Sequence, residues 1–193
     1  MRYADLYNYA NGSQADFVPV KLLAAKIVAD HPPIEQVDFW PVELDPNISL
    51  GHMVYERAKS SAYGESFTIA NIRFEKRQNR CWARFIGCKE LMHVFDNEPQ
   101  SVNSRQKFLQ LMAELQTQPM EKDMSAMFSS EVNAEWMALL VLCPERLRAK
   151  WRQQCLDKTV SEYNVALALR IPEIFIKAVI GDYYDIALKT LTT

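Results

Sequence analysis

The sequence predicts an α+β fold, in which a small antiparallel sheet is accompanied by several helices. Two observations support this prediction. Three segments with strand-like patterns lie between positions 37 and 74. Helical patterns precede these segments and fill almost all of the chain after about residue 80. The length of 193 residues, with 49% hydrophobic and 24% charged residues, is typical of a single globular domain.

The N-terminal part is predicted to contain one helix. Residues 1–15 are polar, and we expect them to form a loose arm. Asp16 can cap a helix over residues 17–29, with Pro19 in its first turn. The His31-Pro32-Pro33 sequence ends this helix, because proline cannot continue it.

The sheet is predicted from three strand candidates. These strands are expected at residues 37–44, 50–58 and 66–74. Pro41 cannot donate a ladder hydrogen bond, so the first strand is expected at an edge of the sheet. Residues 59–65 form the predicted turn between the second and third strands.

Capping residues and prolines divide the rest of the chain into predicted helices. A helix that begins at Asn79 or Arg80 is expected to run through Phe95. Residues 159–193 are predicted to form a C-terminal helical pair. The other starts are expected at Ser104, at Ser129 or Ser130, at Pro144, and at Thr159 or Ser161.

Composition narrows the classes of function. The formal net charge of −2 gives no electrostatic case for binding nucleic acid or an anionic membrane. The pattern shows no signal peptide and no apolar run long enough to cross a bilayer. None of the four cysteines forms a CxxC pair. These features predict a cytoplasmic protein with reduced thiols, and they indicate no particular oligomeric state.

The pentapeptide Lys89-Glu90-Leu91-Met92-His93 has the spacing of an HExxH zinc motif, except at its first residue. In HExxH, histidines at i and i+4 share one helix face and one Zn²⁺, and the glutamate takes a proton from the zinc-bound water. Taken alone, a Glu–His pair three residues apart is more often an ordinary helical pair. The flanking residues change that balance.

The stretch Arg84–His93, with a predicted strand before it, resembles the active-site helix of the ImmA/IrrE family of metallopeptidase-like proteins. Residues 131–144 resemble a downstream family helix: Glu131, Ala134, Ala138, Leu142 and Pro144 keep the frame, whereas Glu135 and Met137 depart from it. Residues 161–171 resemble the family's tail. The resemblance covers roughly residues 60–180 and implies a zincin-like fold, in which Glu90 is the general base and His93 and Glu131 are metal ligands. We expect residues 1–193 to form a single domain of this kind.

Lys89 occupies the position of the first zinc ligand in that resemblance. An ammonium group has no lone pair to give a metal, so the site is expected to hold no zinc. We therefore expect a catalytically impaired protein that acts by binding a regulatory or substrate protein. Two hypotheses remain for Lys89: its ammonium pairs with Glu131 or Glu90 in place of the metal charge, or its side chain extends into solvent.

Two other classes of function stay open at this point. One is an active zinc-dependent endopeptidase that cleaves a peptide substrate and recruits a substitute ligand, such as His52, Asp96 or water. The other is an interaction domain encoded by a phage or another mobile element, with no function for the predicted cleft. A third strong ligand near His93 and Glu131 would favour the enzyme.

Overall fold

The fold contains one three-stranded sheet, and the helix that carries the Lys89–His93 segment packs against it. The computed structural model describes residues 1–59, 64–102, 104–117 and 124–193. Strands β1 (Gln36–Val42), β2 (Gly51–Lys59) and β3 (Ser66–Glu75) form one sheet in the order β1-β3-β2. The predicted α+β class and the edge position of β1 are confirmed. Of the predicted turn at 59–65, residues 60–63 lie outside the described residues.

The prediction of an antiparallel sheet is wrong, because the sheet is mixed. Strand β3 pairs with β2 antiparallel and with β1 parallel. Strand β3 carries the buried residues Ala70, Asn71 and Ile72, whereas β1 has no residue in that class. A strand that is buried to this extent needs a neighbour on each side, so β3 enters between the two strands that precede it in the chain.

Helices surround one face of the sheet and form the rest of the described structure. Helix α5 is buried on nearly all sides in its second half, where residues 138–143 are all buried. No described helix is both long and apolar enough to cross a membrane. The α-helices are α1 (Tyr3–Gly12), α2 (Val20–Asp30), α3 (Arg80–Met92), α4 (Arg105–Thr117), α5 (Ala126–Leu142), α6 (Glu145–Leu156), α7 (Glu162–Leu169), α8 (Ile176–Ile180) and α9 (Tyr183–Thr192).

The N-terminal segment is not a loose arm, which corrects the prediction for residues 1–15. Helix α1 buries Tyr3, Leu6, Tyr7 and Ala10, which recur at i, i+3, i+4 and i+7. The Tyr3 hydroxyl donates to the Met137 carbonyl of α5 at 2.9 Å. The polar residues between these four positions hide an apolar stripe that holds α1 in the core.

Other boundaries differ from the prediction for local reasons. Helix α2 starts at Val20 rather than 17, because Pro19 is its N-cap. Helix α5 starts at Ala126, capped by the Ser125 side chain, so Ser129 and Ser130 lie inside it. Asn79 and Ser161 start their helices as predicted, whereas Pro144, which was expected in the first turn of α6, is its N-cap. Helix α2 ends at the residue before His31, as predicted.

The C-terminal segment contains more than the predicted helical pair. Helices α7, α8 and α9 follow one another, and a 3₁₀ helix (Glu173–Phe175) lies before α8. Gly181 is the C-cap of α8 and lies between α8 and α9. A side chain does not fit at this position, because a Cβ would lie 2.8 Å from the Lys177 carbonyl oxygen. Tyr184 is fully buried and anchors α9 in the core.

Candidate functional site

The candidate site is built on the last turn of α3. The Asn79 side chain starts this helix by accepting the backbone N–H groups of Cys81 and Trp82, each at 3.0 Å. Helix α3 then lies close against the sheet at Gly51, where a Cβ would come within 2.5 Å of Ile86. This close approach places the end of α3 beside strand β2.

Helix α5 brings Glu131 to the end of α3. The Lys89 Nζ donates to Glu90 Oε1 at 3.2 Å and makes a short hydrogen bond to Glu131 Oε2. The Lys89 side chain is only 18% exposed. The hypothesis that Lys89 pairs with these carboxylates is therefore confirmed, and the hypothesis that it extends into solvent is wrong.

His93 faces the same two carboxylates from the other side. It follows α3 as the first residue of a 3₁₀ helix (His93–Phe95). Its Nε2 lies 3.5 Å from Glu131 Oε1 and 3.9 Å from Glu90 Oε2. Each carboxylate thus has one oxygen towards Lys89 and the other towards His93. The four side chains therefore contact one another in a closed circle in which basic and acidic groups alternate. We call this circle of Lys89, Glu90, His93 and Glu131 the ring.

The outer nitrogen of His93 is held by a second pair of residues. Its Nδ1 lies 2.8 Å from Asp96 Oδ2, and Ser130 Oγ donates to Asp96 Oδ1 at 2.6 Å. A carboxylate on one ring nitrogen fixes the imidazole and directs the other nitrogen inward, as is usual for metal-bound histidines. We call the six residues Lys89, Glu90, His93, Asp96, Ser130 and Glu131 the Lys89 cluster.

The charges of the Lys89 cluster support one another. Burial lowers the pKa of Lys89, but the carboxylates of Glu90 and Glu131 outweigh it and hold this pKa above its ordinary value. Burial likewise opposes the charge of Glu131, yet Lys89 and His93 keep its pKa below the ordinary value. Both groups are therefore charged at neutral pH, and Lys89 is a poor nucleophile.

His93 carries a raised pKa for related reasons. Burial lowers it, whereas the hydrogen bond to Asp96 and the charge of Glu90 raise it further than burial lowers it. Its Nε2 is buried and makes no hydrogen bond to any described residue. If Nε2 were unprotonated, its lone pair would face two carboxylates. Protonation of Nε2, which makes the imidazole positively charged, is therefore electrostatically favoured.

The predicted residues end in different places. Lys89, Glu90, His93 and Glu131 come together, although they are up to 42 positions apart in the chain. Asp96 reaches His93 and is not directed at the centre of the ring. His52 pairs with Arg73 across β2 and β3, on the sheet face opposite to Gly51 and α3. It is therefore not positioned as a substitute ligand.

Sequence reasoning missed three residues around the ring. Ser130 was expected as a helix cap, but it lies in the second turn of α5 and supports Asp96. Glu135 lies one turn after Glu131. Burial raises the pKa of Glu135 above its ordinary value, and the charge of Lys89 only partly offsets this. Burial and then the charge of Asp96 raise the pKa of Tyr55 to about 12. The i+4 spacing from Glu131 was the available signal for Glu135.

A catalytic zinc site does not fit the residues of this ring. Zinc needs three protein ligands with free lone pairs, and the ring supplies His93 and Glu131. The third position carries the Lys89 ammonium, which is hydrogen-bonded to the two carboxylates that would ligate zinc and act as its base. The positive charge at this point is therefore supplied by the chain itself.

Comparison with protein-family models, with curated proteins and with solved structures finds no match for this chain. Over the ranges that the structure describes, no group of three or more His, Cys, Asp and Glu side chains is arranged to hold a metal ion. The geometry of the Lys89 cluster therefore carries the functional proposal.

Proposed function

We propose that this chain is a catalytically impaired relative of the ImmA/IrrE metallopeptidases, with a zincin-like fold, and that it acts in the cytoplasm by binding a regulatory or substrate protein. The observation that carries the proposal is the Lys89 ammonium held between Glu90 and Glu131. The two segments that resemble peptidase motifs, on α3 and α5, lie next to each other. Lys89, at the position of the first zinc ligand in that resemblance, neutralises the charges of the Glu90 and Glu131 carboxylates.

Hydrolysis by this type of site would need Glu90 to accept a proton from a polarised water. Here Glu90 already accepts a hydrogen bond from Lys89, and its side chain is 6% exposed. The ammonium cannot act as a Lewis acid on a water or a carbonyl oxygen, because it has no empty coordination position. We therefore expect the Lys89 cluster to lack hydrolytic activity, although its side chains are arranged as in the proposed peptidase relatives.

Binding is supported by the position of strand β2. Within the described sheet β2 pairs only with β3, so its other edge can accept an extended segment of a partner protein. Gly51 of β2 lies against α3, and a Cβ added there would come within 3.0 Å of Glu90, so this strand runs beside the Lys89 cluster. An extended peptide along β2 would therefore pass beside the cluster.

The metal content of the purified protein tests the loss of catalysis. The full chain is purified without added metal or chelator, and its zinc is measured by mass spectrometry. We expect far less than one zinc per chain, and no cleavage of a random peptide library before or after zinc is added. Stoichiometric zinc would overturn the zinc-free proposal.

Peptide display tests the binding half of the proposal. A library of random extended peptides is selected on the immobilised chain, and the binding sites are located by amide hydrogen exchange. We expect selected peptides to protect β2 and the end of α3. Protection confined to other elements, or no selected peptide at all, would contradict binding at this edge.

A working zinc endopeptidase is the second candidate, and one observation favours it. Asp96 and Ser130 hold His93 in the orientation that metal-bound histidines need. This candidate requires a substitute ligand and displacement of the Lys89 ammonium. Zinc that is bound by the wild-type chain and lost in His93→Ala, together with peptide cleavage, would establish it.

A further inference from the structure

A recess of about 520 Å³ lies on the outer face of the sheet, away from the Lys89 cluster. The strand register pairs Trp40 of β1 with Arg73 of β3, and Arg73 with His52 of β2. The three side chains therefore stand in one row across the sheet and line the recess together. Its volume is within the range of about 300–1,000 Å³ that is typical of small-molecule sites.

A buried amide holds two walls of the recess in place. Asn71 is 6% exposed and accepts a hydrogen bond from Trp40 Nε1 at 2.9 Å. Its Nδ2 donates to Glu56 Oε2 at 3.0 Å. The indole is thereby fixed beside Arg73, and the Glu56 carboxylate is directed to Asn71 instead of to the guanidinium.

Arg73 is the unpaired charge of the recess. It makes no ion pair or side-chain hydrogen bond to the residues that the structure describes, whereas Glu43 on the rim lies 3.5 Å from Lys76 Nζ. Burial, and after it the positive charge of Arg73, lower the pKa of the neighbouring His52. A guanidinium and an imidazole thus line one recess, and the nearest carboxylates are engaged elsewhere.

We propose that this recess binds a small aromatic carboxylate, with the carboxylate on Arg73 and the ring against Trp40. A guanidinium presents parallel N–H donors that match the two oxygens of a carboxylate. The fixed indole offers an apolar face for a planar ring, and His52 supplies a further polar contact. The proposal does not rest on the proposed function, because the side chains that line the recess are on the sheet face opposite to α3 and the Lys89 cluster.

Benzoate is a suitable probe for this site. The ¹⁵N-labelled full chain is titrated with benzoate, and the Trp40 indole N–H signal, assigned with Trp40→Phe, is followed by NMR. We expect saturable shifts of this signal and of β3 amides near Arg73. Benzyl alcohol, which has the ring without the charge, should bind at least about tenfold more weakly, because it cannot make the charge-assisted hydrogen bonds to Arg73.

Two arginine variants make the test specific. Arg73→Gln should weaken benzoate binding at least about tenfold, whereas Arg57→Gln, which changes an exposed arginine on the other face of β2, should leave it unchanged. Acetate should bind more weakly than benzoate to the wild-type chain, and this difference should shrink in Trp40→Leu. Equal shifts with benzyl alcohol, or unchanged binding in Arg73→Gln, would overturn the proposal.

Discussion

The Lys89 cluster and the surroundings of Arg148 each hold one long, largely buried cation against two carboxylates. Arg148 on α6 is 3% exposed at its side chain, and it donates five hydrogen bonds to Glu145, Asp185 and the carbonyl groups of Val179 and Gly181. Its guanidinium also stacks on Tyr184, 4.3 Å from the ring centre. All three of its nitrogens have partners.

The Lys89 cluster lacks this completeness. The buried Nε2 of His93 makes no hydrogen bond within the described part of the chain, and Lys89 has two carboxylate partners and no carbonyl partner. Its two carboxylates, Glu90 and Glu131, come from α3 and α5, whereas Arg148 joins α6 to the residues that precede and form α9. The contrast indicates that Arg148 maintains the fold, and it supports the proposal that the Lys89 cluster is part of a binding site.

Replacing Arg148 should have the largest effect on stability. Arg148→Met removes five hydrogen bonds and leaves the carbonyl groups of Val179 and Gly181 without this donor, which should cost about 3 kcal/mol of unfolding free energy. The midpoint of urea unfolding measures this loss. Arg152→Met on the same helix breaks an exposed pair with Asp182 and should cost at most about 0.5 kcal/mol. Similar losses in both variants would remove the contrast.

Placing a histidine at position 89 should convert the Lys89 cluster into a metal site if the proposed relationship holds. Lys89→His supplies a third ligand beside His93 and Glu131, so zinc should bind one per chain. Free zinc at about 100 times its Kd should then stabilise the variant by about 2.7 kcal/mol, measured as a shift in thermal unfolding. The wild-type chain should show no such shift, and adding Glu131→Gln should abolish it. A variant that binds no zinc would mean that Glu131 is wrongly assigned.

Removing the ammonium without replacing it should cost less than removing Arg148. Lys89→Met leaves the carboxylates of Glu90 and Glu131 facing each other without a counter-charge, which should cost roughly 2 kcal/mol at neutral pH. Much of that loss should disappear when Glu131→Gln is also present, because the repulsion is then removed. Urea unfolding of the two single variants and the double variant measures this coupling. Additive losses would show that Lys89 does not act through Glu131.

The sequence predicted the residues of the site better than the fold around it. Lys89, Glu90 and His93 could be grouped because helical spacing fixes their relative positions, and Glu131 could be added because a second motif carried it. Asp96 was named, but its role in holding His93 was not, because a 3₁₀ helix after α3 directs it to the ring nitrogen. Long-range contacts of this kind leave no periodic signal in a sequence.

The errors in the fold have a similar cause. Local spacing could have revealed α1, whose apolar stripe was overlooked among polar residues. Strand β1 pairs with β3 in parallel because β3, the most buried strand, lies in the middle of the sheet. How deeply each strand is buried depends on packing against α3 and cannot be read from the strand's own sequence. The face on which His52 lies could not be known before the register was known.

Glu75 extends the comparison to a buried anion that, like Arg148, has all of its partners. Its side chain is 1% exposed, and it accepts the backbone N–H of Leu44 at 2.6 Å and both the N–H and Nε of Arg77. The hydrogen bond from the Arg77 side chain, followed by those from the backbone, lowers the pKa of Glu75 to about 2.

A carboxylate with a lowered pKa stabilises the fold above its ordinary pKa, and this contribution is lost as pH falls through the lowered value. Glu75→Gln should therefore be less stable than the wild type near neutral pH, by less than Lys89→Met, and the difference should shrink between about pH 5 and pH 2. Urea unfolding at a series of pH values measures the difference, and Glu43→Gln on the neighbouring loop controls for the lost charge. A difference that stays constant down to about pH 2 would show that Glu75 contributes through its packing and hydrogen-bond geometry and not through its charge.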